Sequence, residues 1–244
     1  MERLDAWLAA LAFPLLPLEH IPAGPRGSGG FQWAFREQTA RALCIGKAVR
    51  MISGIRAALI LADLGFIEEC GTLLRTVSDF ANEIIAVCEG YPKQEPTTAQ
   101  RRFVEQYFKP IATTPDEYEA QERERWVSRD DLIAAHSRWV TETGGDANRV
   151  RKLLRFLAHS YDKFVHGAYI TAMELYNGRT QTFMLRGHEA EEKRRLYKGA
   201  IASKLHEALT ALFQMATVAN MPALADDIGQ ATQALYGSSE QSSA

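Results

Sequence analysis

The chain is short of the residues from which many chemistries are assembled. Among its 244 residues are three cysteines, Cys44, Cys70 and Cys88, an odd number with no C-x-x-C spacing. That argues against a disulfide framework and against a thiolate zinc site. In apolar, helix-like surroundings the three read as small buried hydrophobes. There is no H-E-x-x-H and no E-x-x-H, so a zinc protease helix and a ferritin-like di-iron bundle both lack their ligands. The Gly-rich run GPRGSGG is not followed by Lys-Ser or Lys-Thr and does not join a strand to a helix. It is therefore neither a P-loop nor a dinucleotide turn. Gly27-Ser28-Gly29 lacks the spacing of a nucleophile elbow. No metal and no cofactor is expected.

Charge of one sign is also missing. The 28 basic and 30 acidic residues leave a net charge of −2, so any nucleic-acid or membrane binding must come from a local patch. Long apolar runs are absent too. The stretch Ile52 to Phe66 contains Arg56 and Asp63 and is too short to span a bilayer. The N-terminus is apolar, but Glu2 and Asp5 outnumber Arg3, and Pro14 and Pro17 interrupt the run. It does not fit a signal peptide. Leu4, Trp7, Leu8 and Leu11 follow helical spacing, which predicts a short amphipathic helix docked on the core. The expectation is a cytoplasmic domain without stable membrane insertion.

What is present is helix after helix. Hydrophobic residues make up 46% and charged residues 24%, ordinary for a globular domain able to bury a sizeable core. PAGPRGSGG, residues 22–30, reads as a flexible linker. It divides an N-terminal unit, 1–30, from a single helical-bundle domain, 31–236. A long helix is expected from Phe31 to about Leu64, ended by Gly65, and a second from Ile67 to Glu89, ended by Gly90-Tyr91-Pro92. The two should form an antiparallel pair. Shorter amphipathic helices are expected over 97–110 and 115–126, then one from Ser128 to about Thr141 and one from Gly144 to about His166. A long helix from Glu189 to Asn220, a final one over 222–236 and a disordered tail, 237–244, complete the chain. RTQTFMLRG, after Asn177-Gly178, is the one candidate for extended structure, a small hairpin near 179–186. With no βαβ alternation and no internal repeat, the fold class is all-α, a bundle of long antiparallel helices with shorter peripheral ones.

Two of these helices carry polar stripes. A helix turns about 100° per residue, so Arg155, His159, Asp162 and His166 share one narrow face, with Arg151 and Lys152 beside it. Leu154, Leu157, Tyr161, Phe164 and Val165 take the other side. On the earlier helix Arg75, Asp79, Asn82 and Glu83 cluster opposite Leu73, Val77, Phe80, Ile84 and Cys88. If the stripes face each other, Asp79 or Glu83 would pair with Arg155 or orient a histidine. Such a group suits metal-free cleavage of RNA. A histidine moves the proton of the 2′-hydroxyl or leaving group, and an arginine grips the phosphate and stabilises its charge. The competing reading is a solvated helix face with charges at i, i+4 spacing. His188 and His20 sit in loop-like sequence and carry no signal.

The segments LLRTVSDFANEIIAV and YDKFVHGAYITAMEL together resemble bacterial helical proteins related to the HEPN superfamily. The residues that carry the resemblance are Arg75 and Asp79, followed by Tyr161, His166 and Gly167, within about 66–180. The resemblance implies an α-helical bundle, often dimeric. It also implies a metal-independent ribonuclease site in active members, which recur in toxin–antitoxin and phage-defence systems. The active motif places four to six residues between Arg and His. Here Arg155 and His159 have three between them, and Arg151 and His159 have seven.

Two functions stay open. One is a metal-independent RNA-directed ribonuclease of defence or toxin type, with His159, His166 and Arg155 catalytic and Arg75, Asp79, Glu83, Asp162 and Tyr161 supporting. The other is a non-catalytic interaction or regulatory protein, antitoxin-like or a scaffold. The partners implied are RNA or a nucleotide, a cognate protein, or a second copy in a homodimer.

Overall fold

The computed structural model describes residues 1–12, 18–23, 30–89, 96–109, 114–122, 127–142, 144–166, 173–188 and 190–241; within these, the side chains of 18–34, 122, 129, 135, 136, 138–140, 142, 157, 158, 160, 161, 163 and 236–241 lie outside the description. The protein is an all-α bundle with two small hairpins.

The first helix, α1 (Glu2–Ala12), buries Leu4, Trp7 and Leu11 at the expected spacing and packs on the body. Trp7 Nε1 donates to Asp227 at 2.6 Å, and Arg3 pairs with the same carboxylate at 2.7 Å. The expected linker is in part a hairpin. Strand β1 (Leu18–Ala23) runs antiparallel to β2 (Gly30–Phe35), with Leu18 opposite Phe35 and Ala23 opposite Gly30. The helix expected from Phe31 therefore starts later, because Phe31, Trp33 and Phe35 alternate with Gln32 and Ala34 at the period of a strand. In a two-stranded ribbon every strand is an edge, so Pro22 is tolerated.

Helix α2 (Ala40–Leu64) begins at Thr39, whose hydroxyl accepts from the Ala42 amide at 3.2 Å. It ends at Gly65, in the left-handed region at φ +80°, and Phe66 N–H closes the turn on Leu61 O at 2.8 Å. That tight turn delivers the chain into α3 (Ile67–Cys88), which returns along α2. Next come α4 (Thr98–Tyr107), opened by a Thr97/Gln100 capping box, α5 (Pro115–Glu122), α6 (Arg129–Glu142) and α7 (Ala147–Val165). The expected small hairpin lies slightly upstream of its anticipated place, as β3 (Tyr176–Asn177) and β4 (Thr182–Phe183). Helix α8 (Glu191–Val218) and α9 (Pro222–Gln241) complete the description. Helix α9 continues through Gln241, so the expected tail from 237 is helical over most of its length; 242–244 lie outside the described residues.

The core is the α2–α3 pair closed by α8, with α9 behind α8 and α7 against α3. Leu43, Met51, Ile55, Leu74, Ile84, Leu212 and Ile228 are all at most 1% exposed. Truncating any of them to alanine costs about 2–5 kcal/mol. Ala48, Ala58, Ala81, Ala208 and Ala211 are fully buried between helices, where small side chains let the axes approach. Among the described residues no helix is long and apolar enough to cross a membrane.

Candidate functional site

The two polar stripes meet, and through a different residue from the one expected. Arg75 is buried on α3 at 3% exposure, and its Nε donates to Asp162 of α7 at 2.9 Å. Its other donor edge pairs with Asp79, one turn along α3. Burial alone would depress the guanidinium pKa; the hydrogen bonds and charges of the two carboxylates outweigh it and raise the pKa. Asp79 is pushed above the usual carboxylate range, first by burial, with Arg75 opposing and Asp162 adding to the rise. A guanidinium that already spans two carboxylates has no free edge for a phosphate.

The other expected pairings differ. Glu83 binds Lys47 of α2 at 2.8 Å, and burial raises its pKa against that partner. Lys47 also lies 5.0 Å above the Phe80 ring. Arg155 pairs with neither Asp79 nor Glu83; it forks onto Asp130 of α6 at 3.0 and 3.1 Å, an exposed pair worth little. His159 and His166 are both exposed, the latter at the C-cap of α7. The stripe therefore divides: Asp162 turns to α3, while Arg155, His159 and His166 face outward. The cause is the rotation of α7. Phe164 lies against Gly71 of α3 and edge-on to Tyr197 of α8 at 6.1 Å, which brings Asp162 onto Arg75. Val165, expected on the core side, is 48% exposed, as are Leu153 at 52% and Phe156 at 64%. The Leu157 and Tyr161 side chains lie outside the described residues.

Two further buried networks flank α3. Lys204 of α8, 1% exposed, contacts Glu207 at 2.5 Å and donates to Ser78 Oγ at 3.3 Å, while Ser78 donates to Glu207 at 2.6 Å. Ser78 and Lys204 thus spend their polar atoms on each other and on Glu207, which is a structural use rather than a nucleophile and its base. Lys204 occupies a core position in step with Ile201, Ala208 and Leu212, a signal that was readable in the sequence and carried no assigned role.

The second network surrounds His188. This residue is 5% exposed, between Gly187 at φ +95° and the start of α8. Its backbone N–H donates to Gly65 O at 2.7 Å, which fastens the β3–β4 segment to the α2–α3 turn. Burial lowers the imidazole pKa and Lys193 lowers it further, against a hydrogen bond and charge at Glu174. Nearby in α3, burial raises Glu68 to about 7, with Glu174 and Glu69 adding and Lys193 opposing. A carboxyl raised and an imidazole lowered in one locality mark a candidate functional region. Periodicity alone could not find it, since His188 belongs to no helix.

Cys44 and Cys88 share the lining of a cavity of about 130 Å³, and a hydrogen bond with Cys44, with burial second, lifts the Cys88 thiol pKa. Among the described residues no three His, Cys, Asp or Glu side chains converge as metal ligands. No family model matches the chain, and no curated protein or solved structure matches it.

Proposed function

We propose that the chain is an RNA-directed helical protein whose contact surface is the solvent side of α7, with His159 and His166 as metal-independent proton-transfer groups. The observation that carries this reading is the composition of that exposed side. Arg149, Lys152, Arg155, His159 and His166 are exposed, with Phe156 at 64% exposure among them. Cations spaced along a helix neutralise successive phosphates, and an exposed aromatic ring offers a face on which an unpaired base stacks. The Arg75–Asp162 bond holds α7 at a fixed rotation, so these groups are presented by a rigid element. The HEPN-like resemblance supports the same reading. His159 and His166 stand seven residues apart, roughly 10 Å of helix rise, so both reach one phosphodiester when their rings lean toward each other.

Purified protein should degrade single-stranded RNA in EDTA, and His159→Ala and His166→Ala should each lower the rate at least tenfold. Equal activity in both variants would refute the assigned roles. The second reading, a non-catalytic interaction protein, is favoured by Leu153 and Phe156, which stand exposed on the same side of α7. Intact RNA, together with a stable protein complex weakened by Phe156→Ala, would select it.

A further inference from the structure

The cavity of about 130 Å³ beside Cys44 and Cys88 lies where α1, α2, α3 and α8 meet. Its floor is buried and carries no charge. Leu11, Val87 and Met215 form it together with the two thiols. A hydrogen bond with Cys44, and burial, keep the Cys88 thiol protonated. The rim is half-buried and consists of Ala40, Val218, Ala219 and Arg41, the one ionic residue of the lining. Arg41 lacks a counter-ion. A guanidinium has five N–H donors; Nη2 of Arg41 donates to Leu11 O at 3.0 Å, and among the described residues no carboxylate pairs with it. Burial lowers its pKa, and no acid acts against that fall. Glu89, next to Cys88 in the chain, acts on that thiol but not on Arg41, and it does not line the cavity. A partly buried charge left unpaired is unfavourable, and an anion bound beside it relieves the cost.

Size, charge and shape together select the ligand. An apolar cavity of about 150 Å³ takes up benzene, so this one suits a body of about six carbon atoms. A bare hydrocarbon would leave Arg41 unpaired. A dianion such as a phosphomonoester would exceed its single charge, and the lining has no second cation. A carboxylate carries one charge, and its two oxygens match parallel N–H groups of a guanidinium. We propose that this cavity binds a small monocarboxylic acid, with its apolar body on the floor between Leu11, Val87 and Met215 and its carboxylate at the rim on Arg41. The Met215 thioether favours an aromatic ring as that body. The site shares no residue with the α7 surface and does not depend on the RNA-directed reading.

Calorimetric titration of the full chain at pH 7 and constant ionic strength tests this, with benzoate, hexanoate, acetate and benzyl alcohol as probes. Benzoate or hexanoate should bind saturably, one to one, at least tenfold tighter than acetate, which lacks the body, and than benzyl alcohol, which lacks the charge. Tighter binding of benzoate assigns an aromatic acid; tighter binding of hexanoate assigns an aliphatic one. Arg41→Gln should weaken binding at least tenfold. Because Arg41 also holds the end of α1, a second variant leaves it in place. Ala219→Leu adds bulk at the half-buried rim and should exclude both acids, with the far-UV circular dichroism of the parent. Absence of saturable binding, equal affinity for acetate or benzyl alcohol, or undiminished binding by either variant would overturn the proposal.

Discussion

Arg75 on α3 and Asp162 on α7, 87 residues apart in the chain, are joined by a 2.9 Å bond that fastens α7 to α3. Removing the guanidinium takes from Asp162 and Asp79, each about one third exposed, the cation they share. Breaking a buried pair costs about 3–5 kcal/mol, and partial exposure places this one near the lower end. Arg75→Ala should lower the urea midpoint accordingly. Arg75→Lys should recover only part of the loss, since a single ammonium cannot reproduce a fork that reaches two carboxylates. A midpoint unchanged in Arg75→Ala would remove this bond from the determinants of the fold.

Glu68 gives the stability a pH dependence of known sign. Its pKa in the fold is raised to about 7, above the ordinary carboxyl value. Between about pH 4.5 and 7 the native state therefore binds more protons than the unfolded chain, and this group makes stability fall as pH rises. Glu68→Gln removes that contribution. The variant should be more stable than the parent at pH 8, with the difference vanishing near pH 4.5. Chemical denaturation at several pH values measures it; a difference independent of pH would contradict the assignment.

Gly65 closes α2 at φ +80°, and a Cβ there would overlap the backbone of His188. Gly65→Ala thus combines a left-handed backbone with a collision against main chain, which cannot rotate away. A loss of about 1–3 kcal/mol is expected, accompanied by faster amide exchange at His188, whose N–H is bonded to Gly65 O. Unaltered exchange at that amide would show that the turn and the hairpin segment are not coupled.

The three thiols should be inert in the folded protein. Cys44, Cys70 and Cys88 are buried, and burial pushes Cys70 up to about 11. Since the thiolate is the reactive form, a disulfide reagent should label none of them at pH 7.5 within minutes and all three in urea. Rapid labelling of the native protein would mean that the α2–α3 pair opens readily.

The helices were legible because their apolar periodicity is long and their ends are marked. Gly65 closes α2 where expected, and Asp146 caps α7 with its carboxylate on the Asn148 and Arg149 amides. At the edges of 22–30 composition hid a pairing: Pro22, Ala23 and Gly30 belong to a hairpin, and 24–29 lie outside the described residues. Strand alternation over five residues is a weaker signal than a Gly-rich run. The polar stripe on α7 was legible as a stripe, but not the inward turn of Asp162. Asp162, His159 and His166 lie within a few tens of degrees on the helix, and a contact elsewhere, Phe164 on Gly71, decides which one faces α3. His188 was invisible for another reason. Its burial arises from two left-handed glycines and a backbone bond to a distant turn, none of which leaves a periodic trace.

The bond from Trp7 to Asp227 spans 220 residues of chain. During synthesis at about 5–20 residues per second, the opening helix waits roughly 10–45 s for its carboxylate partner to be made. Throughout that interval α1 has α2 to rest on but lacks the side that the C-terminal helices supply. Docking of α1 is thus completed in two stages, first along α2 and last where Asp227 closes over the indole.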